Sequence, residues 1–176
     1  MPPPSRNPLT YDVAAALGTS ANSDGFVGTA RLEVGARWRR YGLQIAFTGD
    51  TDRDRSIEAR TATWRRLAVG AGPSYTLVDN IVALELHAQF FAGITTVRGQ
   101  GFDTNRQSSD VSPGLAGALR LGRASGWARP WLEAGGQFLF AAQDIAVEKD
   151  NLPTTRVALP RTDARITVGV SFLLLQ

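Results

Sequence analysis

An all-β fold, one antiparallel barrel of eight up-and-down strands, is predicted by three observations. Eight separate stretches alternate large apolar residues with small or polar ones at period two. The connections between them alternate short and long. No run reaches the eighteen or so apolar residues that a membrane-spanning helix needs.

The first strand presents Tyr11, Val13, Ala15, Leu17 and Thr19 on one face, with Asp12, Ala14, Ala16 and Gly18 between them. The second sets Gly28, Ala30, Leu32, Val34, Ala36 and Trp38 against Thr29, Arg31, Glu33, Gly35 and Arg37, and the third sets Tyr41, Leu43, Ile45 and Phe47 against Gln44, Ala46 and Thr48. In the fourth, Leu67, Val69, Ala71, Pro73, Tyr75 and Leu77 oppose Arg66, Ala68, Gly70, Gly72, Ser74 and Thr76. The fifth opposes Val82, Leu84, Leu86, Ala88, Phe90 and Ala92 to Glu85, His87, Gln89, Phe91 and Gly93. Leu115, Leu119 and Leu121 mark the sixth, against Gly114, Ala116, Ala118 and Arg120. The seventh runs Leu132, Ala134, Gly136, Phe138 and Phe140 against Glu133, Gly135, Gln137 and Ala141. The eighth, residues 164 to 175, puts Ile166, Val168, Val170, Phe172 and Leu174 opposite Arg165, Thr167, Gly169 and Ser171.

Short links fall at Arg39-Arg40, Val78-Asp79-Asn80 and Gly122 to Gly126. Long polar ones fall at Ser20 to Gly25, Gly49 to Ala62, Arg98 to Ser112 and Asp144 to Asp163. Residues 10–176 form the barrel and residues 1–9 a Pro-rich segment or linker. Pro113 and Pro130 are expected to start strands, whereas Pro73 requires a bulge or a local break.

Eight strands close in two ways: apolar inside and polar outside in water, as in lipocalins, or the reverse across a bilayer. The minor face decides for the membrane. It is Gly, Ala, Ser, Thr and Gln with charges of both signs, which suits a crowded lumen better than a wetted surface. Inside, such charges must pair. The expected network is Arg31, Glu33, Arg37, Arg66, Glu85, His87, Arg120, Glu133 and Arg165. Tyr11, Trp38, Tyr41, Tyr75, Trp127 and Trp131 gather at the short-turn end, where amphipathic rings favour an interfacial girdle. Trp64, Phe47, Phe90 and Phe140 are expected toward the opposite rim.

Composition excludes several functions. The net charge of +3 is scattered among sixteen acids, so nucleic acid is not an expected partner. No cysteine is present, which removes thiol catalysis and zinc–thiolate sites and fits an oxidising compartment. His87, the single histidine, reads as a hydrogen-bonded interior residue beside Glu85 and Gln89, so no catalytic constellation is expected. GDTDRDRSIE, with Asp50, Asp52, Asp54 and Glu58, lacks EF-hand spacing, and neither metal nor cofactor is expected. MPPPSRNPLTYD has no apolar core of a signal peptide, so an exported protein would have lost or exchanged its leader before Met1.

With these patterns in place, residues 10 to 176 resemble the small OmpA/OmpX-type outer-membrane barrels of Gram-negative bacteria. The terminal ITVGVSFLLLQ, with Val168, Val170, Phe172 and Leu174 on one face, looks like the C-terminal signal read by the barrel-assembly machinery, although Phe172 is not the last residue. The resemblance implies short periplasmic turns, longer extracellular loops and an outer-membrane location in the cell envelope, among lipid and lipopolysaccharide. Arg60, Arg65, Arg98 and Arg106 flank the long-loop rim, where they either hold lipopolysaccharide phosphates or are simply solvated. The expected role is structural or interactive: an anchor, loop-mediated binding, or a subunit of an envelope complex with a protein partner. Alternatives are a narrow, porin-like channel for a small or apolar solute, and a soluble lipocalin-like binder if the faces are inverted.

Overall fold

The computed structural model describes residues 9–57, 60–100, 107–149 and 152–175. Every regular element among them is a strand: β1 (Thr10–Asn22), β2 (Gly25–Trp38), β3 (Tyr41–Asp50), β4 (Arg53–Ile57), β5 (Arg60–Asp79), β6 (Val82–Gln100), β7 (Gln107–Arg123), β8 (Ala128–Leu139), β9 (Asp144–Lys149), β10 (Leu152–Ala158) and β11 (Thr162–Leu175). Eight of them make the wall. β1, β2, β3, β5, β6, β7, β8 and β11 follow one another in chain order, and β11 pairs back onto β1. β3 pairs directly with β5, so each wall strand has two antiparallel neighbours and the barrel is closed. Closure leaves the wall no edge on which another chain could add a strand.

The alternation in the sequence becomes two opposite surfaces. In β2, Thr29, Arg31 and Glu33 are buried while Ala30, Leu32 and Val34 between them are exposed. Arg31 is 3% exposed and Leu32 60%. Polar and charged side chains fill the interior and the large apolar ones cover the outside, which is the reverse of a water-soluble barrel. The lipocalin-like alternative is thereby overturned, because its interior needs the apolar set. Phe91 is an inward apolar residue, and it lies where Gly70 and Gly114 of the adjoining strands and Gly93 of its own present no side chain.

The long-connection end is more ordered than expected. Ser20 to Gly25 is no polar loop: β1 and β2 continue to Asn22 and Gly25, leaving a two-residue turn in which Asp24 N donates to Asn22 Oδ1 at 2.8 Å. Gly25 takes a φ of +113°, a conformation that L side chains rarely adopt. β4 folds back antiparallel on the upper part of β5, β6 and β7 run on to Gln100 and from Gln107, and β9 pairs with β10. The backbone donors there find ladder partners rather than water.

Two of the prolines differ from expectation, and Pro73 has the local break expected of it. Pro113 is seventh in β7 and pairs with Ala92 rather than starting the strand, and Pro130 is third in β8. At Pro73 the β5–β6 ladder skips two rungs without changing register, from Ala71↔Phe90 to Ser74↔His87. The bulge falls later, between Thr76 and Val78.

Gly72 permits that skip. A Cβ there would lie 2.8 Å from Gln89 Cα and closer still to the Ala88 carbonyl, both fixed backbone of β6. Gly72→Val is expected to prevent closure, so that detergent refolding gives no compact, heat-modifiable band on unboiled gels. Gly117→Ala meets nothing nearer than the His87 carbonyl oxygen at 3.9 Å and should fold normally.

Candidate functional site

The interior carries its charges in two layers. In the central layer Arg120 of β7 spans the lumen. Its Nη2 donates to Glu33 Oε2 and to Glu133 Oε2, both at 2.8 Å, its Nη1 donates to Glu33 Oε1 and its Nε to Glu133 Oε2, each at 3.0 Å. Arg31 bridges the same two carboxylates, through Nη2 to Glu33 at 2.7 Å and Nη1 to Glu133 at 3.2 Å. Two guanidiniums and two carboxylates thus tie β2, β7 and β8 together across the barrel. The pairing is set by strand geometry, since Glu133 lies directly opposite Arg120 on the β7–β8 ladder.

Glu85 pairs with Arg37 and stands 3.2 Å from His87 Nε2. The Gln44 amide is best satisfied with its nitrogen donating to Glu33 Oε1 at 2.9 Å and its oxygen accepting from Gln89 Nε2 at 3.1 Å. Arg31, Glu33, Arg37, Glu85, His87, Arg120 and Glu133 therefore meet in one network, to which Gln44 and Gln89 belong as well.

Arg66 and Arg165 are not in it. Arg66 belongs to a second layer nearer the long-loop end, where its Nη1 donates to Asp163 Oδ2 at 2.5 Å. Arg53 donates to Asp163 Oδ1 and to Asp50, each at 3.1 Å. Trp64 covers this layer. Its ring lies 4.8 Å from the Arg53 guanidinium and 5.2 Å from that of Arg66, packs with Ala62, Ile145 and Leu159, and donates from Nε1 to Asp24 at 3.1 Å. Trp64 is an interior lid rather than a member of the outer rim, because it shares the inward parity of Arg66 two residues on. Among the described residues Arg165 faces the lumen without an ion pair.

At the short-turn end the expected aromatic girdle needs one correction. Tyr11, Trp38, Tyr41 and Trp127 are exposed on the outer wall, with Tyr75 part-buried 5.2 Å from Tyr41. Trp131 is not among them: it is 7% exposed, inside the barrel. Its ring lies 3.9 Å under the Arg120 guanidinium, and its Nε1 donates to Ser171 Oγ at 3.0 Å. The spacing of two from Glu133 is the signal that places it there. Below it Arg129 and Asp12, a pair the sequence reading did not name, meet at 3.0 Å.

Outside, Phe47 and Phe90 are exposed on the wall, and Phe140 lies 6.0 Å from Phe90. Val168, Val170, Phe172 and Leu174 share the outer face of the closing strand β11, where Phe172 lies 5.5 Å from Trp127. Arg65 and Arg98 are exposed near the upper end of β5 and β6, Arg98 donating to Gln107 at 3.1 Å. Arg106 and the Arg60 side chain lie outside the described residues.

Both nitrogens of His87 face acidic or amide groups in the lumen, away from the wall. No group of three acidic or imidazole side chains among the described residues is placed to hold a metal ion.

Among solved structures, a major outer membrane protein of Thermus thermophilus superposes with a TM-score of 0.69 at 12% identity, over 94% of this chain and 99% of that one. Neisserial surface protein A gives 0.58 at 12% identity over 93% and 96%. The attachment invasion locus protein of Yersinia pestis, solved with the heparin analogue sucrose octasulfate, gives 0.53 at 12% identity over 94% and 97%. The chain has the fold of the small outer-membrane barrels. No protein-family model and no curated protein matches the sequence.

Removing one member of the central layer strands its buried partner charge inside the barrel. Glu133→Gln is expected to lower unfolding stability by about 3–5 kcal/mol, read as the urea midpoint of the refolded protein. Leu32→Ala, on the outer wall, removes no buried partner and leaves the ion pairs intact.

Proposed function

We propose that the protein is an integral outer-membrane barrel of a Gram-negative envelope, closed to bulk flow, whose role is structural or interactive. It anchors its loops, binds through them, or docks its wall into a larger envelope assembly. The observation that carries this is the inverted polarity of the closed barrel. Leu32, Leu43, Phe47, Val168 and Leu174 are each more than half exposed, an outer surface that favours lipid, while the interior is occupied by paired charge. Eight strands leave a lumen that side chains fill, so a wide pore is not expected.

A narrow channel is the competing reading, and Arg120 argues against it: one guanidinium bound on both sides of the lumen would have to release four hydrogen bonds to let a solute by. In planar bilayers the protein is expected to give no resolvable single-channel steps, and regular steps would sink the closed-lumen reading. A heat-dependent gel shift with a β-type circular dichroism spectrum is expected from detergent-folded protein.

Two features point to envelope partners. Arg65 and Arg98 lie on the outer face, two residues beyond the exposed Leu67 and four beyond the exposed Ile94, at a height that suits lipopolysaccharide phosphates. Arg60 and Arg106 extend the proposed collar in sequence. Arg65→Gln with Arg98→Gln should reduce the lipopolysaccharide that co-purifies with the barrel. Equal retention would leave these residues as a solvated rim. The outer face of β11, from Val168 to Leu174, is the proposed segment read by the barrel-assembly machinery.

A further inference from the structure

Between the two charged layers the lumen has donors to spare. Every other arginine of the interior, Arg31, Arg37, Arg53, Arg66, Arg120 and Arg129, stands in an ion pair; among the described residues Arg165 does not. Two residues along β11, on the same inward face, Thr167 is 1% exposed and its Oγ1 has no hydrogen-bond partner. Arg53 Nε is likewise buried and unpartnered. Strand register places the three in one part of the lumen. Arg165 lies opposite Ser20, and Ser20 Oγ accepts from Arg53 Nη2 at 2.8 Å.

The nearby acceptors are already engaged. Asp163 takes hydrogen bonds from Asn22 and Arg53 on one oxygen and from Arg66 and Gln137 on the other. Glu133, opposite Thr167 on the ladder, is engaged by Arg31 on one oxygen and Arg120 on the other. Thr167 Oγ1 and Arg53 Nε are buried and require a partner, and the part-buried Arg165 requires a counter-charge. A water molecule could satisfy the hydrogen bonds alone, whereas an anion also supplies Arg165 with a counter-charge.

We propose that Arg165, Thr167 and Arg53 hold a small inorganic anion of halide size inside the barrel. It is a resident ion rather than a permeating one, fixed between the layers, and its charge gives Arg165 the partner that the protein does not.

Bromide is the probe. Crystals of the full chain grown in bromide should show one anomalous peak within hydrogen-bond reach of the Arg165 guanidinium and Thr167 Oγ1. In detergent, the melting midpoint should rise with the logarithm of chloride concentration, on the order of a few degrees per tenfold increase, relative to gluconate at equal ionic strength. Thr167→Val and Arg165→Met should each flatten that dependence; should Arg165→Met not fold, Thr167→Val still reads the site. No bromide peak, or equal midpoints in chloride and gluconate, means water only and overturns the proposal. A chloride response that Thr167→Val leaves intact overturns it too, since the ion then binds elsewhere.

Discussion

The grip of Arg120 on Glu33 and Glu133 is the interaction on which the rest of the barrel turns. Taking these charges from water costs several kcal/mol each, and mutual attraction offsets that only when the geometry is good. Good geometry requires β2, β7 and β8 in one register. A slip of one residue would send Glu33 and Glu133 to the outer face and Leu32 and Leu132 into the lumen. The network therefore acts more as a specification of register than as a reserve of stability, and the inward glycines serve it by letting neighbouring strands approach.

The second layer follows the same rule with different parts. Arg53 and Asp163 come from segments at the ends of wall strands, not from the middle of the wall, so Arg66 finds its partner only because β4 folds back along β5 and β11 begins at Thr162. Trp64 completes the closure by lying against two guanidiniums, which lets an apolar ring cover a charged layer without stranding it.

Period-two alternation made the wall legible in the sequence, because each strand has one solvent per face and parity then orders its residues. Arg31, Glu33, Glu85, Arg120 and Glu133 were readable for that reason. The same parity, applied to Trp131 and Trp64, gives the interior positions they occupy; residue type had argued instead for an interfacial girdle and rim, since Trp so often sits there. What parity cannot supply is pairing between distant segments. That Arg66 joins Asp163 rather than Glu85, that Ser20 to Gly25 is a tight hairpin, and that Arg165 stands in no ion pair among the described residues all depend on how strand ends fold over the mouth.

The alternation has one further consequence, for the chain before it folds. Because large apolar residues mostly alternate with small or polar ones, the apolar runs along the extended polypeptide, such as FLFAA at 138–142, stay far short of a bilayer span. The apolar surface that covers the finished wall comes into being only when the ladder between β1 and β11 forms. An unclosed chain presents mixed character along its length and nothing that a bilayer would retain as a helix. Lipid affinity is thus a property of the assembled cylinder, acquired late, and a chain in transit through other membranes or through water carries it only in latent form.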